Sequence, residues 1–369
     1  MTKFDTQVPC RTRRGRRSAF RCHIAPLVCI SLALSFLAFS ASPPHVGAAV
    51  SSTPSKQLGP VGASWSGVSC VSRSTCTVVG FANGAAAAIS EQSGRWGRVH
   101  VIAGTAGGML TSVTCFDALN CTAVGAIGFG PSAPQSVAPM VVEERQGLWG
   151  RPIKISGTSA ENFGTAFTSV SCWSRSECFA VLTGPLGGMT AHEHNGTWGA
   201  AERLGPAGGS LNDVSCSPPG ICYVVGATRS GSGYTARFGP NWSSFHNGQQ
   251  SLNSISCTSG SDCVAVGGVG KKDPTFLIEA SGFWSDSIRM KRSRGISFTK
   301  VSCGGNSSRC VAIGTGPNHS YAVTLRLSGA TTPKNLGEPG LRSLSCPTAD
   351  FCVAVGRHNT KGFVRAFKP

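Results

Sequence analysis

The sequence predicts an all-β fold made of seven copies of one unit, and three observations carry this prediction. Gly accounts for 48 of the 369 residues while only 13% of the residues are charged, a composition that favours short strands and turns over helices. Pairs of cysteines recur seven times along the chain. The first cysteines of successive pairs lie 41 to 57 residues apart, and such a period is typical of propellers and repeat arrays.

Residues 1–48 are interpreted as a signal peptide and are set aside from the fold. Seven basic residues and one acid precede an uncharged apolar run, Pro26–Ala41, which is the pattern of a secretory leader. We expect cleavage between residues 41 and 49, which leaves 49–369 as one repeat domain. The apolar run is short beside the about 20 residues of a membrane helix, and an uncleaved anchor is the alternative. Without the leader, the formal net charge falls from +17 to +11.

The cysteines beyond the leader are predicted to form one disulfide in each unit. Three of the 17 cysteines lie in the leader, and the others form pairs with a spacing of six residues, or seven in one pair. An even number of cysteines in an exported chain indicates disulfides. Zinc sites need converging C-x2-C spacings and redox sites need C-x-x-C, so neither is expected. The predicted bridges are Cys70–Cys76, Cys115–Cys121, Cys172–Cys178, Cys216–Cys222, Cys257–Cys263, Cys303–Cys310 and Cys346–Cys352.

Each unit contains four predicted strands. The first ends at the first cysteine, as in "SVSC", and the second begins at the second cysteine, as in "CVAVG". An alternating run such as "PTFLIEA" gives the third strand, and the fourth follows a Gly turn and usually a Trp. Each disulfide therefore joins the first two strands across a short hairpin. The Trp is interpreted as a core residue between units, with an exposed sugar-stacking platform as the alternative, at Trp96, Trp149, Trp198, Trp242 and Trp284.

Seven four-stranded antiparallel units fit a seven-bladed β-propeller, a fold that usually has four to eight blades. The seventh unit ends at its third strand, "GFVRAFKP". The missing strand is predicted near the N-terminus, because "QLGP" at Gln57–Pro60 matches "RLGP" at Arg203–Pro206 in a fourth strand. The N-terminal strand should therefore complete the last blade and close the ring without a free edge.

The turn before each Trp resembles a degenerate Asp-box, the S-x-D-x-G-x-x-W hairpin of sialidase-like propellers. The copies "SEQSGRW", "EERQGLW" and "HEHNGTW" lack the aspartate. The chain is also similar to secreted bacterial proteins with repeated "SVSC" and "AVG" blades. These resemblances imply the propeller fold, and they raise a sialidase-like glycan hydrolase as an alternative function. Propellers host unrelated functions, so the resemblance defines the fold better than the activity.

The sequence does not assemble a set of catalytic residues. A sialidase-like site implies a tyrosine paired with a glutamate and an arginine cluster, and the chain has only Tyr223, Tyr234 and Tyr321, of which Tyr223 is expected to be packed. A charged position five residues before the Trp recurs, and Arg237 and Arg326 are assigned to it in two other units. A position charged in blade after blade indicates a solvated or structural site. Its carboxylates are Glu91, Glu144, Glu193 and Glu279.

The histidine pair in "HEH" could bind a metal. Residues two apart share one face of a strand, so His192 and His194 lie on the same face of a third strand. No third ligand is visible in the sequence, and an exposed polar strand face is the preferred interpretation. No metal site and no cofactor are therefore predicted.

The central channel is expected to be lined by small side chains, because seven strands crowd around it. Two residues before the small residue of their blades, Asp213 and Lys300 place charged side chains in the corresponding ring and are predicted to point into the channel. The small residues precede the first cysteines and are Ser69, Thr114, Ser171, Ser215, Ser256, Ser302 and Ser345.

A ligand is expected on one face of the propeller, where loops after the second and fourth strands surround the channel. In blades five to seven these loops are basic, and converging loops would attract anionic polymers. A generally basic, solvated surface is the alternative. Aromatic residues are few there, so specific nucleic-acid recognition is not expected. The candidate ligand-binding residues are Lys271, Lys272, Lys291, Arg292, Arg294, His319, Arg357, His358 and Lys361.

Together these features predict a secreted or envelope-associated, extracytoplasmic propeller that acts as a non-enzymatic binding module. Its expected partners are an anionic glycan, a cell-wall polymer or another envelope protein. A membrane contact is expected only if the leader is left uncleaved. The alternatives are a sialidase-like glycan hydrolase and a purely structural envelope protein.

Overall fold

The structure is a computed structural model in which the described chain belongs to one compact unit, Ala49–Pro369. The leader predicted at residues 1–48 lies outside the described residues. The described residues are 54–128, 137–157, 166–184, 187–238, 243–246, 250–268, 274–290, 293, 295–305, 309–326, 328–337 and 339–369.

The described chain forms seven antiparallel sheets, which are the seven blades of a β-propeller. After β1 (Lys56–Val61), blade 1 contains β2 (Ser64–Ser72), β3 (Thr75–Ala82), β4 (Ala85–Gln92), β5 (Arg95–Trp96) and β6 (His100–Ala106). Blade 2 contains β7 (Met109–Asp117), β8 (Asn120–Ile127), β9 (Ala138–Arg145), β10 (Leu148–Trp149) and β11 (Ile153–Lys154). Blade 3 contains β12 (Phe167–Ser174), β13 (Glu177–Gly184), β14 (Gly187–His194), β15 (Thr197–Trp198) and β16 (Glu202–Ala207). Blade 4 contains β17 (Ser210–Ser217), β18 (Ile221–Ala227), β19 (Gly233–Phe238) and β20 (Ser243–His246).

The remaining three blades repeat this plan. Blade 5 contains β21 (Leu252–Ser259), β22 (Asp262–Gly267), β23 (Thr275–Ala280), β24 (Phe283–Trp284) and β25 (Ile288–Arg289). Blade 6 contains β26 (Ser297–Cys303), β27 (Cys310–Thr315), β28 (Ser320–Arg326), β29 (Gly329–Ala330) and β30 (Lys334–Asn335). Blade 7 contains β31 (Leu341–Thr348), β32 (Phe351–His358) and β33 (Lys361–Phe367), together with β1.

The predicted four-stranded blade is confirmed, but its outer strand is interrupted in five blades. In blade 1, β5 and β6 both pair with β4. The short segment β5 pairs Trp96 with Glu91, and the Gly97 N–H then donates to the Ser90 carbonyl at 2.9 Å before the chain leaves the ladder. The fourth strand of these blades is therefore a short hairpin segment, which carries the Trp in blades 1, 2, 3 and 5, followed by a separate outer segment.

The N-terminal strand closes the ring as predicted. β1 is antiparallel to β33, with Lys56 opposite Val364 and Gln57 opposite Phe363. Leu58 is buried, and its carbonyl accepts a 2.9 Å hydrogen bond from Trp65 Nε1 on the innermost strand of blade 1. This pairing supplies the fourth strand that the seventh unit lacks, and it leaves no open edge on β33.

Seven hydrophobic clusters of the described chain each lie between two neighbouring blades. The cluster around Trp65 includes Val353 and Val364 of blade 7, so it spans the point of ring closure. The half-buried tryptophans of the outer strands pack against these clusters, which confirms their interpretation as core residues; Trp242 lies outside the described residues. The packed tryptophans are Trp96, Trp149, Trp198 and Trp284.

All seven predicted disulfides are present, and they join the first two strands of each blade. In six of them the two cysteines are direct cross-strand partners. Disulfides form and persist in oxidising compartments, so seven of them indicate an extracytoplasmic location. Among the described residues, no helix has the length and apolar character needed to span a bilayer.

The Gly in the recurring "AVG" is required by a close approach between strands. A Cβ at Gly80 would lie 2.0 Å from the carbonyl oxygen of Ser64 on the innermost strand, and one at Gly226 would lie 1.9 Å from that of Ser210. No side chain fits at these distances. The recurring Gly therefore reflects how tightly the first two strands approach each other near the end of the inner hairpin.

Ring closure can be tested at two neighbouring positions of β1. Leu58→Ala removes a buried side chain of the closing strand and should lower the free energy of unfolding by about 2–5 kcal/mol. Gln57→Ala, at the exposed neighbouring position, should change it by less than about 0.5 kcal/mol. Urea unfolding of both variants measures the difference. Equal, small effects would contradict a closing strand that belongs to the core.

Candidate functional site

The strand order gives the propeller two faces, and each face carries different connections between the strands. Consecutive strands of a blade alternate in direction, so the turns after the first and third strands lie on one face, which we call the hairpin face. The connections after the second and fourth strands lie on the opposite face, which we call the loop face. In four blades a backbone bond ties the two hairpin-face turns together, as between the Gly94 N–H and the Ser74 carbonyl at 3.0 Å. The predicted ligand-binding residues that the structure describes belong to the loop face.

The small residues before the first cysteines join neighbouring blades. At six of the seven junctions, the Ser Oγ accepts a hydrogen bond from the backbone N–H of the first cysteine in the next blade, as from Cys115 to Ser69 at 3.0 Å. The bond from Cys70 to Ser345, at 2.9 Å, crosses the point of ring closure. Crowding predicted small side chains here, and the hydrogen bond explains why most of them are Ser.

Asp213 and Lys300 form an ion pair near the channel. Lys300 Nζ lies 2.8 and 2.9 Å from the two carboxylate oxygens of Asp213. Asp213 is buried and also accepts hydrogen bonds from Ser169 Oγ at 2.5 Å, Ser254 Oγ at 2.6 Å and the Ile255 N–H at 3.0 Å. This network joins blades 3, 4, 5 and 6. Its carboxylate neutralises Lys300, which is therefore a structural residue more than a ligand-binding one.

Of the nine predicted ligand-binding residues, four are described, and they lie on the loop face of blades 6 and 7. Arg357 and His358 end β32, and Lys361 opposes His358 across a two-residue turn. His319 precedes β28, where its ring contacts Tyr321 edge-on at 6.4 Å between centroids. The other five lie outside the described residues: Lys271, Lys272, Lys291, Arg292 and Arg294.

Arg342 is a loop-face cation that the sequence reasoning missed. It occupies the bulge near the start of β31, and its Nη1 donates to Ser64 Oγ of blade 1 at 3.0 Å. Partial burial, and then the charge of Arg357, lower the pKa of Arg342, and the two arginines follow the directly paired residues Leu341 and Gly356 on neighbouring strands. We call Arg342, Arg357 and Lys361 the basic mouth. Within the described residues, none of the three has a carboxylate oxygen within 4.0 Å.

Comparison of the seven bulges gives the signal that could have found Arg342. The first strand of every blade shifts register at the same place, and the bulged residue often bonds to the next blade, as Thr111 Oγ1 does to the Phe167 carbonyl at 2.6 Å. Arg342 is the one cation among these residues. The seven bulged residues are Ser66, Thr111, Thr168, Asn212, Asn253, Thr299 and Arg342.

Three of the four recurring glutamates, Glu144, Glu193 and Glu279, are buried, and Glu91 is half-buried. Glu193 is 0% exposed and Glu279 is 1% exposed. Each lies opposite the second cysteine of its disulfide on one side and opposite the Trp on the other, for example Cys178, Glu193 and Trp198. We call this arrangement across the four strands the Cys–Cys–Glu–Trp row. The row occurs in blades 1, 2, 3 and 5, so the structural part of the prediction is supported and the solvated part is wrong.

The assignment of Arg237 and Arg326 to the same position is wrong. Phe238 opposes Cys222 in blade 4, and Leu325 opposes Cys310 in blade 6. Each arginine lies one residue away from the row and on the other face of its strand, because successive residues of a strand point to opposite faces. The assignment was wrong by one residue because the position was counted along the chain from the turn, and not by pairing across the strands with the second cysteine.

Glu144 combines burial with access to a pocket. Desolvation, reinforced by the charge of Asp117, raises the pKa of Glu144 from 4.5 to about 7. Its carboxylate lines a pocket of about 410 Å³ between the outer strands of blades 1 and 2, with Trp96 and Trp149 among the walls and His100 at the edge. The pocket lies between outer strands, away from the loop-face residues predicted from the sequence.

A tyrosine, a glutamate and an arginine do meet in this fold, but they meet inside it. Burial, and then the charge of Glu279, raise the pKa of Tyr223, and the Arg237 guanidinium lies over the Tyr223 ring at 6.0 Å. Tyr223 is 2% exposed, which confirms that it is packed. The group lies between blades 4 and 5 next to a disulfide, so a glycan cannot reach it as it stands.

The structure brings a carboxylate, Glu177, to the histidine pair, which the sequence did not show. Its Oε1 lies 3.0 Å from His194 Nδ1, and its Oε2 lies 3.5 Å from His192 Nε2. Burial lowers the pKa of His192, and the charge of Glu177 offsets this only in part. The three side chains lie at the hairpin-face end of blade 3, far along the strands from the loop face.

Comparisons with known proteins define the fold alone. No protein-family model matches the chain, and no curated protein matches it. The structure is similar to the one described as YCF48 bound to D1 peptide, with a TM-score of 0.58 and 13% identity over 86% of this chain and 96% of that one. It is also similar to U3-55K (TM-score 0.62, 11% identity, 85% and 98% covered) and to the RRP9 WD40 repeats (0.60, 11%, 85% and 99%).

The raised pKa of Glu144 predicts a specific pH dependence of stability. Between its ordinary value of 4.5 and about 7, the folded state holds a proton that the unfolded state releases, so stability falls as the pH rises through this range. Glu144→Gln removes this titration. Between pH 5 and pH 8, its free energy of unfolding should fall by on the order of 1–3 kcal/mol less than that of the wild type. Urea unfolding at both pH values measures this.

Glu202→Gln is the matched control, because Glu202 is an exposed carboxylate on the outer segment β16. This variant should keep the wild-type decline in stability between pH 5 and pH 8. Two results would show that the buried carboxyl is ionised in the folded state. One is a wild-type stability that does not fall between pH 5 and pH 8, and the other is a Glu144→Gln stability that falls as much as that of the wild type.

Proposed function

We propose that this protein is an extracytoplasmic, non-enzymatic interaction module whose basic mouth binds an acidic segment of a protein partner. The observation that carries the proposal is the group of three loop-face cations, Arg342, Arg357 and Lys361, that have no carboxylate partner among the described residues. Four other cations of the described chain, Arg73, Arg145, Arg175 and Lys300, each lie within 4.0 Å of a carboxylate oxygen.

The chemistry of the basic mouth favours a carboxylate-rich ligand. Guanidinium groups bind carboxylates with two parallel hydrogen bonds, and two of them on neighbouring strands suit an extended acidic segment better than a single charge. Arg357 Nε already donates to the Asn359 carbonyl at 2.7 Å, which orients its group at the turn. The similar propeller described as YCF48 bound to D1 peptide holds a peptide, and this supports a peptide-sized ligand here as a proposal only.

We propose that the contact site extends to the segments after the second and fourth strands of blade 5, whose cations lie outside the described residues. Their cations are proposals from the sequence: Lys271, Lys272, Lys291, Arg292 and Arg294, with His319 and His358 at the edge. Residues 1–48 are proposed to direct export, and the protein would contact a membrane only if this leader is left uncleaved.

An anionic glycan or cell-wall polymer is the second candidate ligand. The same cations would attract it, and the pocket walled by Trp96 and Trp149 offers aromatic surface of the kind that stacks on sugars. The pocket lies at the outer strands and not at the basic mouth, so the two features do not form one site. For this reason a protein segment is the preferred ligand.

A sialidase-like glycan hydrolase is the remaining alternative, since the turns before the tryptophans resemble degenerate Asp-boxes. Such an enzyme would need a reachable tyrosine with a glutamate and arginines. Tyr223 and Tyr234 are buried, and Tyr321 packs against the cluster between blades 5 and 6. The placement of these residues favours binding over hydrolysis.

The basic mouth predicts weaker binding of an acidic ligand when its charges are removed. The triple variant Arg342→Ser, Arg357→Ser and Lys361→Ser should bind an Asp- and Glu-rich peptide about 10-fold more weakly, because three exposed contacts of about 0.5 kcal/mol each approach one factor of ten. Fluorescence anisotropy with a labelled peptide at low salt measures the dissociation constant. A sulfated glycan of similar charge is titrated in parallel.

The control removes the same charge at the outer edges of blades 1 and 2, through Arg95→Ser, Arg98→Ser and Arg151→Ser. This variant should bind the peptide as wild type does. Equal losses in the two triple variants would show attraction to the overall charge and not to a site. A glycan that binds while the peptide does not would move the proposal to the second candidate.

A further inference from the structure

We propose that Glu177, His192 and His194 form a binding site for a divalent transition-metal cation on the hairpin face of blade 3. Each of the three side chains offers one ligand atom, and these atoms all lie within 4.8 Å of one another. A metal at their centre would replace the contacts that the carboxylate now makes with the two imidazoles.

The strand register explains why three separate residues converge. Cys178 opposes Glu193 and Phe179 opposes His192, so Glu177 at the start of β13 comes opposite His194 at the end of β14. Alternation along each strand then places the ligand side chains on one face of the sheet, while Glu193 points to the other. The disulfide Cys172–Cys178 fixes the start of β13 next to Glu177.

The surroundings hold the ligands in place. The His192 ring stacks on Phe179 at 4.6 Å between centroids and lies 5.6 Å from Trp173. Asn195 donates its backbone N–H to Glu177 Oε1 at 3.1 Å, and its side-chain nitrogen lies 2.9 Å from His194 Nε2. His192 Nε2 is buried and makes no hydrogen bond in the described chain. Such second contacts orient ligating side chains and tune their affinity.

The donor set occurs in one blade only, although the fold around it is repeated. In blade 1 the three equivalent positions hold Thr75, Ser90 and Gln92, which do not form a metal site. In blade 5 they hold Asp262, Ile278 and Ala280. A general polar surface would not require two imidazoles and a carboxylate at one copy of a repeated position.

Two imidazole nitrogens and one carboxylate oxygen suit Zn²⁺ and its neighbours in the transition series. Three protein ligands leave a further coordination position open, and the His194 side chain is 69% exposed, so that position is reachable from solvent. The nearby group of Cys172, Cys178 and Glu193 is not a second candidate, because its sulfurs are joined in a disulfide and cannot act as thiolates.

The test is Zn²⁺ titration of the untagged full chain after treatment with a chelator, followed by isothermal calorimetry. Wild type should bind one Zn²⁺ per chain. Glu177→Gln and His194→Ala should each weaken binding by at least about 10-fold, because changes even to second contacts of a metal cost that much. His192→Phe keeps an aromatic ring in the stack and should weaken binding similarly. Visible absorption of the Co²⁺-loaded protein reports the coordination directly.

The control is His319→Ala, which removes a half-buried histidine of the loop face and should leave Zn²⁺ binding unchanged. Unfolding of each variant in the absence of metal separates lost ligands from lost structure. His194 is exposed, so its replacement should leave stability near wild type, and Glu177→Gln keeps the size of the half-buried side chain. A wild-type chain that binds no Zn²⁺, or binding that survives in the His192→Phe and His194→Ala double variant, would overturn the proposal. The site lies on the opposite face from the basic mouth, so neither result bears on peptide binding.

Discussion

The structure depends on burial between blades, since a single blade has no core of its own. Each of the seven hydrophobic clusters in the described chain draws its residues from two adjacent blades. Repeat units of this kind become stable only when neighbours cover both sides, and a ring covers every unit only if it closes. The contact of Leu58 with Trp65 therefore closes the ring and also completes the hydrophobic cluster between blades 1 and 7, which would otherwise be exposed.

Around the channel, polar contacts set how the blades are aligned. The Ser Oγ atoms accept backbone N–H groups from the next blade, and the buried Asp213 gathers donors from three other blades. The disulfides act at the same level of the strands and fix the register within each inner hairpin. Register has a further consequence, because a slip of one residue turns every side chain to the other face. The same alignment that pairs the cysteines also buries Glu193 and brings Glu177 to His194.

The features that repeat along the chain could be predicted from the sequence. The burial of a side chain by the adjoining blade, and contacts between residues that lie across a sheet, could not. Blade number, disulfides and ring closure follow from spacing along the chain. Burial of Glu144 does not, because its accessibility is set by the adjoining blade and not by its own strand. Arg237 was placed one residue out of register because it was counted from the Trp along the chain, whereas Phe238 is the residue opposite Cys222. Glu177 and Arg342 were missed because their partners, His194 and Arg357, lie across a sheet and not nearby in sequence.

Repetition also separates structural from functional residues in this fold. The Cys–Cys–Glu–Trp row occurs in four blades, and a single ligand cannot explain a feature that is copied around the ring; its origin is the packing of one blade on the next. Residues that depart from the repeat have no such explanation. Arg342 stands where other blades have small polar side chains, and His192 and His194 stand where blade 1 has Ser90 and Gln92. The two departures lie on opposite faces, and each brings together groups whose chemistry the repeated scaffold does not need. Reactive or charged side chains that occur in one blade, at a position that the other blades fill with different residues, are thus the strongest guide to function in this propeller.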